Sequence, residues 1–327
     1  MIPPLVVLLP GPDVRVLGAS ARARNERVAA RAGARLVSHE QLAACGDRPV
    51  ILVPADRLID LSAFPPSSPD ALFDVSTPAA RLRTAWSILR RTAKPTDGWV
   101  SRHWNRPVSR VVSFLLLSLG SRPSHASAIT LIVGIGAAVI AAQPGYCALV
   151  ATGMLFQVAS VLDGVDGEMA RARLTESDAG ARLDAIVDQI TYVACFIGAT
   201  IGWVREGRGV DALIWTAAVG AALVLTLLRA SRFVSRYAPN ASFVFIDRSV
   251  QRAARVSRRA GLRLTPGLFT LMRRDLFAII FLAVSLTGLR VLIPVLVCAG
   301  VVVANLTFSI YKRELVEAVL AERASST

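Results

Sequence analysis

Six runs of apolar residues, each close to the length of a membrane span, constrain the fold of this 327-residue chain more than any other feature. A bilayer core takes roughly 20 helical residues to cross, and lipid offers no hydrogen-bond partner to an unpaired backbone. Some runs reach this length only with the polar ends of the same helices. The runs are residues 126–142, 146–162, 183–203, 212–228, 276–289 and 291–311. They predict an α-helical integral membrane protein with six transmembrane helices.

The excess positive charge, +14 at pH 7, is concentrated between the fourth and fifth runs, where arginines crowd one connection. The connection at 143–145 carries no charge, that at 204–211 carries two basic and two acidic residues, and that at 290 is one arginine. The positive-inside rule places the arginine-rich connection in the cytoplasm, and six spans then place both termini there as well. We therefore expect a multi-pass protein of the cell inner (plasma) membrane, in contact with membrane lipids. We expect no nucleic-acid partner, because few aromatic residues interleave the arginines for base stacking.

The residues before the apolar runs have a different pattern. Short apolar strands at 3–9, 35–37 and 49–53 alternate with a helical pattern at 21–34. This order predicts a small N-terminal α/β domain with a parallel sheet over residues 1–75. Its apolar start lacks the basic leader of a signal peptide, so we expect the domain to be cytoplasmic.

A proline- and serine-rich segment, residues 64–69, marks the end of this domain. Residues 76–110 are predicted to be a linker followed by an interfacial amphipathic helix, since tryptophans and arginines recur over 94–110. Residues 111–327 then form the membrane domain.

Four carboxylates stand in an otherwise apolar background around the second and third runs. Asp163 and Asp166 follow the second run, Asp184 and Asp188 begin the third, and helical residues three or four apart share one face. A short polar turn containing Gly180 could bring both pairs together. Ionisable residues at the ends of membrane helices are typical of functional sites, and close carboxylates call for a hard divalent cation.

The alternative interpretation of these acids is charges at helix ends, exposed to water or paired with Arg171, Arg173 and Arg182. The full spacing argues against it, because the chain matches D-x2-D-G-x2-A-R-x8-G-x3-D-x3-D at every defined position. The matching residues are Asp163, Asp166, Gly167, Ala170, Arg171, Gly180, Asp184 and Asp188. This pattern resembles the CDP-alcohol phosphotransferase family, also called the CDP-alcohol phosphatidyltransferase family.

The resemblance implies a reaction in which a CDP-alcohol donor and an acceptor alcohol form a phosphodiester and CMP is released. It implies Mg²⁺ or Mn²⁺, with two ions expected, and a homodimer. Asp163, Asp166 and Asp184 would bind the metals, and Asp188 would be both the base and a metal ligand. The residues implied in binding the cytidine and diphosphate are Gly167, Ala170, Arg171 and Gly180.

Within the family, the chain most resembles the di-myo-inositol phosphate phosphate synthase branch. The resemblance lies in residues 94–110, in the RRD sequence at 273–275 and in the nucleotidyltransferase-like order of 1–75. Only Gly11 and Gly18 remain where such a domain needs a glycine-rich basic loop, so we expect a degenerate domain without cytidylyltransferase activity. The branch implies CDP-inositol as donor and an inositol phosphate, or another phosphorylated polyol, as acceptor.

Four arginines are predicted to bind the acceptor phosphate, because guanidinium groups bind phosphate at two points. They are Arg229, Arg232, Arg273 and Arg274. The alternative is that they bind lipid headgroups or orient the helices. Two other functions stay open: a phospholipid synthase that joins CDP-diacylglycerol to an unphosphorylated alcohol, and a non-catalytic lipid-binding membrane scaffold. A transporter is disfavoured, because the acids cluster at helix ends and the sequence has no evident internal repeat.

Overall fold

The computed structural model describes residues 4–38, 40–41, 49–66, 72–94, 97–237, 274–310, 313 and 316–317. The chain forms two compact units. Unit 1 comprises Met1–Asp97, Arg102–Leu131 and Val161–Gln189, and unit 2 comprises Gly98–Ser101, Ile132–Ser160 and Ile190–Thr327. The domain boundaries predicted at residues 75 and 110 stay predictions.

The protein is mostly helical, as predicted. The strands are β1 (Leu5–Leu8), β2 (Arg15–Val16), β3 (Ala19–Ser20), β4 (Arg35–Leu36), β5 (Val50–Val53), β6 (Arg57–Leu58) and β7 (Phe73–Asp74). The helices are α1 (Ala21–Arg31), α2 (Pro78–Arg91), α3 (Arg106–Ser118), α4 (Pro123–Ala141), α5 (Tyr146–Arg173), α6 (Asp178–Arg205), α7 (Gly209–Tyr237), α8 (Arg274–Thr287) and α9 (Leu292–Ile310).

A three-stranded parallel sheet organises the N-terminal region, with β1 between β4 and β5. Leu5 lies opposite Arg35 in β4 and Val50 in β5. Val6 and Val7 have no exposed surface, as is typical of a parallel strand that is covered on both faces. The predicted N-terminal α/β region with a parallel sheet is confirmed.

α1 begins at Ser20, whose side-chain oxygen accepts the N–H of Ala23 and caps the helix. The helix predicted over 21–34 ends earlier, at Arg31. The reason is Gly33, whose left-handed backbone (φ 68°) terminates the helix and turns the chain into β4.

The predicted interfacial helix extends further along the chain than expected. A π-helical turn, Ser101–Asn105, leads directly into α3. Exposed apolar side chains recur on one side of this segment at helical spacing: Trp104, Val108, Val111 and Leu115. The other side is buried: Arg106, Ser109, Ser113 and Leu117. The helix continues past residue 110 because this buried side packs on the rest of unit 1 as far as Leu117.

Among the residues that the structure describes, four helices are long and apolar enough to cross a membrane, by length and composition: Pro123–Ala141, Tyr146–Arg173, Asp178–Arg205 and Gly209–Thr226. They correspond to the first four predicted spans. Shorter apolar helical segments, Asp275–Thr287 and Leu292–Val302, lie at the fifth and sixth. The chain therefore has the features of a multi-pass membrane protein, and the count of six spans stays a prediction.

Within unit 2, α4 and α6 approach closely at two glycines. A Cβ atom on Gly198 would lie 2.1 Å from the carbonyl oxygen of Ala138, and one on Gly202 would lie 2.2 Å from that of Ala141. Any side chain at either position would therefore force the two backbones apart. Such small-residue contacts are typical of helices packed in membranes, where close van der Waals contact replaces the hydrophobic effect.

Candidate active site

α5 and α6 carry the acidic motif, and only four residues connect them. α5 ends where Leu174 takes a left-handed conformation (φ 56°) and the N–H of Thr175 bonds to the carbonyl of Ala170 at 2.9 Å. At the start of α6, the Ser177 hydroxyl accepts the N–H of Gly180 at 3.1 Å. Gly180 therefore lies in the first turn of α6, whereas the sequence predicted it in the connecting turn. The tight connection places the end of α5 next to the start of α6.

Three of the four carboxylates that were predicted to bind metal lie close together. Asp163 of α5 and Asp184 and Asp188 of α6 each offer an oxygen atom, and these atoms lie within 4.8 Å of one another. All three side chains are partly buried. Carboxylates this close repel one another unless a cation compensates their charge. Hard oxygen donors from two rigid helices fit Mg²⁺ or Mn²⁺, so this group could hold a divalent ion.

Asp166 lies one helical turn after Asp163 and is oriented by hydrogen bonds. The Ser127 hydroxyl of α4 donates to one of its carboxylate oxygens at 2.6 Å, and the backbone N–H of Gly167 donates to the other. Asp163, Asp166 and Asp188 are all close enough to act electrostatically on Asp184. The predicted role of Asp166 as a metal ligand stays a prediction.

A cavity of about 780 Å³ adjoins the motif. This volume lies within the range of about 300–1,000 Å³ that is usual for ligand pockets. Among its lining residues are most of the motif: Asp166, Gly167, Ala170, Arg171, Gly180 and Asp184. All four residues predicted to bind the cytidine and diphosphate therefore face one space, together with two of the acids.

Arg171 is held at the edge of this cavity with hydrogen-bonding capacity to spare. Its Nε donates to the carbonyl of Thr92 at 2.8 Å, while its Nη2 is buried without a partner among the described residues. A Cβ atom on Gly167 would lie 3.0 Å from Arg171 Nη1, so glycine leaves room for the guanidinium along the helix. A buried unpaired donor is unfavourable, which makes an anionic ligand here energetically valuable.

The arginines predicted to bind the acceptor are only partly described. Arg229 Nη1 donates to Asn305 Oδ1 at 2.8 Å and to Ser309 Oγ at 3.3 Å, within unit 2. Arg232 is exposed on α7. Arg273 lies outside the described residues, and for Arg274 only the backbone is described. Acceptor binding by these four residues stays a prediction.

Glu168, which no sequence pattern singled out, has no exposed surface. One of its carboxylate oxygens accepts from Arg106 Nη1 at 2.6 Å and from the Ser109 hydroxyl at 2.8 Å. The other accepts from the Ser113 hydroxyl at 2.8 Å. Helical spacing alone already separates Glu168 from the acids, because five positions after Asp163 correspond to about 140° around α5.

The contacts that attach the N-terminal domain to the motif helix were also missed. Arg24 Nε donates to the carbonyl of Ala172 at 3.3 Å, and Arg27 Nη1 donates to that of Arg173 at 2.8 Å. Arg173 Nε in turn donates to the carbonyl of Leu17 at 3.0 Å. Burial lowers the pKa of Arg24 to about 10, so this guanidinium stays charged at neutral pH. Charged donors thus connect the last turn of α5 to the N-terminal α/β region.

The sequence model described as CDP-alcohol phosphatidyltransferase matches residues 123–306, which is more than half of the chain. The chain belongs to the CDP-alcohol phosphatidyltransferase family. The match begins at the first residue of α4 and includes the whole acidic motif, so the membership predicted from the motif is confirmed. The family is metal-dependent, in keeping with the carboxylate group of α5 and α6.

Three curated relatives carry the description "Bifunctional IPC transferase and DIPP synthase". The Thermococcus kodakarensis protein is 39% identical over 132 residues, which cover 39% of this chain and 29% of the relative. The Rubrobacter xylanophilus protein is 35% identical over 158 residues, which cover 48% of this chain and 35% of the relative. The Aquifex aeolicus protein is 33% identical over 117 residues, which cover 36% of this chain and 26% of the relative. The chain thus matches at most about a third of the length of these relatives.

Proposed function

We propose that this family member is a metal-dependent CDP-alcohol phosphotransferase. It transfers the phospho-alcohol group of a CDP-alcohol to the hydroxyl of an acceptor and releases CMP. The observation that carries the proposal is the meeting of Asp163, Asp184 and Asp188, from two helices, beside a cavity that the other motif residues line. Family membership supports the same reaction class.

The donor would bind at the motif face of α5. Arg171, whose Nη2 has no partner among the described residues, would donate to the diphosphate. Gly167 and Ala170 line the cavity with little bulk, so the cytidine can approach the helix, and Gly180 does the same on α6. These residues orient the scissile bond rather than react with it.

The acceptor would be activated by a carboxylate. Asp163, Asp166 and Asp184 would hold the divalent cations, which when bound neutralise the diphosphate and stabilise the departing CMP. Asp188, one turn further along α6 than Asp184 and on the same face, would accept the proton of the acceptor hydroxyl. It would also contribute to holding the second cation.

The proposed acceptor is an inositol phosphate or another phosphorylated polyol, with CDP-inositol or CDP-diacylglycerol as donor. Three relatives whose description includes DIPP synthase support the inositol branch. The predicted acceptor-binding residues are Arg229, Arg232, Arg273 and Arg274. A neutral alcohol would leave their charges unmatched in a partly desolvated site, which favours an acceptor that itself carries a phosphate.

In the membrane, we propose six spans with both termini and the acidic motif on the cytoplasmic side, where CDP-linked donors are available. The positive-inside rule supports this orientation. Resemblance to the family supports a homodimer. We expect the N-terminal domain to have no cytidylyltransferase activity, so that the CDP-alcohol comes from another enzyme.

The test is a reaction with purified full-length protein in detergent. The protein is supplied with Mg²⁺, with CDP-inositol or CDP-diacylglycerol, and with a panel of phosphorylated and unphosphorylated alcohols, and the products are identified by mass. CMP release together with a phosphodiester of a phosphorylated polyol is expected. Exclusive use of unphosphorylated alcohols would instead identify a phospholipid synthase. Absence of CMP release from every donor would refute the enzyme and favour a lipid-binding scaffold.

A further inference from the structure

The N-terminal α/β domain contributes one part of the cavity lining. Gly18, Ala19, Ser20, Ala23 and Arg27 face the same space as the motif residues of α5 and α6. These residues run from β3 into the first two turns of α1. Arg27 therefore combines a contact to a backbone carbonyl of α5 with a place in the lining of this cavity.

The charges around the cavity are unequal. Among the described residues, five basic side chains line it: Arg27, Lys94, Arg122, Arg171 and Arg173. Three acidic side chains of the same described part oppose them: Asp166, Glu176 and Asp184. Two of these acids belong to the predicted metal site, and a divalent cation there would increase the positive excess. The cavity as a whole therefore suits a ligand with several negative charges.

The five cations are not equally available to a ligand. Arg173 directs all three of its guanidinium nitrogens to backbone carbonyls, those of Leu17, Leu117 and Ser121. Arg171 is held beside Gly167, where the proposed diphosphate lies. Arg27 directs only Nη1 to a carbonyl, that of Arg173, among the described residues. The other two cations, Lys94 and Arg122, have exposed side chains and are therefore accessible to a ligand.

We propose, on the basis of the proposed function, that the N-terminal domain completes the substrate site and that Arg27, with Lys94 and Arg122, binds a phosphate group of the substrate. A guanidinium offers two parallel N–H donors to phosphate oxygens, and ammonium adds a point charge. The phosphate belongs either to the acceptor or to the diphosphate of the donor. The degenerate domain thus keeps a binding role without a reaction of its own.

The experiment measures binding to purified full-length protein in detergent by titration calorimetry, with inorganic phosphate as one probe and CDP with Mg²⁺ as the other. The variants are R27Q, R27K and R122Q. R22Q is the matched control, since Arg22 lies on the same helix, pairs with Glu26 and is not among the cavity-lining residues. Thermal unfolding of each variant shows whether the domain stays folded.

We expect R27Q and R122Q each to weaken phosphate binding about tenfold, the size of one lost charged hydrogen bond. R27K should restore part of the affinity, and R22Q should behave like the wild type. Loss of CDP affinity rather than phosphate affinity would support the subsite and identify the donor as the source of the phosphate. Arg122 does not take part in the contacts described between the N-terminal region and α5. R122Q therefore still tests the proposal if R27Q unfolds.

Three outcomes would overturn the proposal: no saturable binding of either probe by the wild type, unchanged affinities in R27Q and R122Q, or an equal loss in R22Q. The proposed function is judged separately, by CMP release from the wild type. Phosphate binding without CMP release would leave the subsite standing and refute the enzyme. CMP release by the wild type, together with unchanged binding in R27Q and R122Q, would support the enzyme and refute the subsite.

Discussion

Arg106 Nη1 and Glu168 Oε1 lie 2.6 Å apart in an ion pair whose side chains are 7% and 0% exposed. Asp97 accepts two hydrogen bonds of 2.9 Å from the same guanidinium. A Cβ atom on Gly164 would lie 2.8 Å from Arg106 Nη1, so this glycine makes room for the arginine against α5. The network joins α3 to the helix that carries Asp163, on the side away from the acids. We infer that it fixes the rotation of the motif helix.

Removal of Glu168 should be strongly destabilising. E168A would leave Arg106 with Asp97 alone and the buried hydroxyls of Ser109 and Ser113 without their acceptor, and removing one member of a buried ion pair costs up to about 3–5 kcal/mol. The matched control is E26A, because Glu26 pairs with Arg22 at an exposed site where such pairs are worth less than about 1 kcal/mol. Denaturant titration in detergent measures both free energies of unfolding. Equal losses in the two variants would contradict the inferred role of the buried pair.

Stability should depend on pH through Asp97. Burial disfavours the charged form of this carboxylate, but the hydrogen bonds and charge of Arg106 outweigh that effect and hold its pKa below the usual range. The unfolded value is about 3.9, so the folded state binds the proton less tightly. The stabilisation is therefore complete above about pH 4 and is lost as the pH falls through the lowered pKa.

The variant D97N isolates this contribution, because asparagine does not titrate. The difference in free energy of unfolding between wild type and D97N should be constant from pH 7 to about pH 5 and should shrink below about pH 4. Denaturant titrations in detergent at a series of pH values measure it. A difference that grows on acidification would show that the pKa of Asp97 is raised instead.

D188N should separate proton transfer from binding. The amide can still act as a weak ligand but cannot accept a proton, so we expect turnover to fall about 10²–10⁴-fold while the affinity for CDP with Mg²⁺ changes only a few-fold. D178N, an exposed acid at the start of the same helix, is the control and should keep wild-type turnover. Undiminished CMP release by D188N, with a verified substrate pair, would exclude Asp188 as the base.

S127A tests the orientation of Asp166. Loss of the 2.6 Å hydrogen bond should free the carboxylate and weaken Mg²⁺-dependent CDP binding about 10- to 100-fold, as is usual for groups that orient metal ligands. T130V on the same helix is the control, since the Thr130 hydroxyl bonds to the carbonyl of Ala126 in its own helix. Calorimetry with CDP and Mg²⁺ measures both variants. Equal affinities in S127A and wild type would show that Asp166 does not need this hydroxyl.

The sequence by itself determined the features that depend on neighbouring positions. Apolar runs predicted α4 to α7 as candidate spans, because a lipid environment demands long apolar helices. Alternating strands and helix predicted the parallel sheet around β1. The spacing of the motif placed Asp184 and Asp188 on one helical face and identified the family, because helix geometry turns a spacing of four into adjacency.

Only the tertiary structure decided which distant residues meet. Arg106 and Glu168 are 62 positions apart, and Arg24 reaches the carbonyl of Ala172 across 148 positions. No periodicity links such pairs, because their partners are chosen by the packing of whole helices and not by local propensity. The same reason explains why the contact of Arg27 with the carbonyl of Arg173 was not predicted: the two residues are far apart in sequence, and only the packing of the N-terminal α/β region against the end of α5 brings them together. Local spacing identified the chemistry, and the fold decided which other side chains surround it.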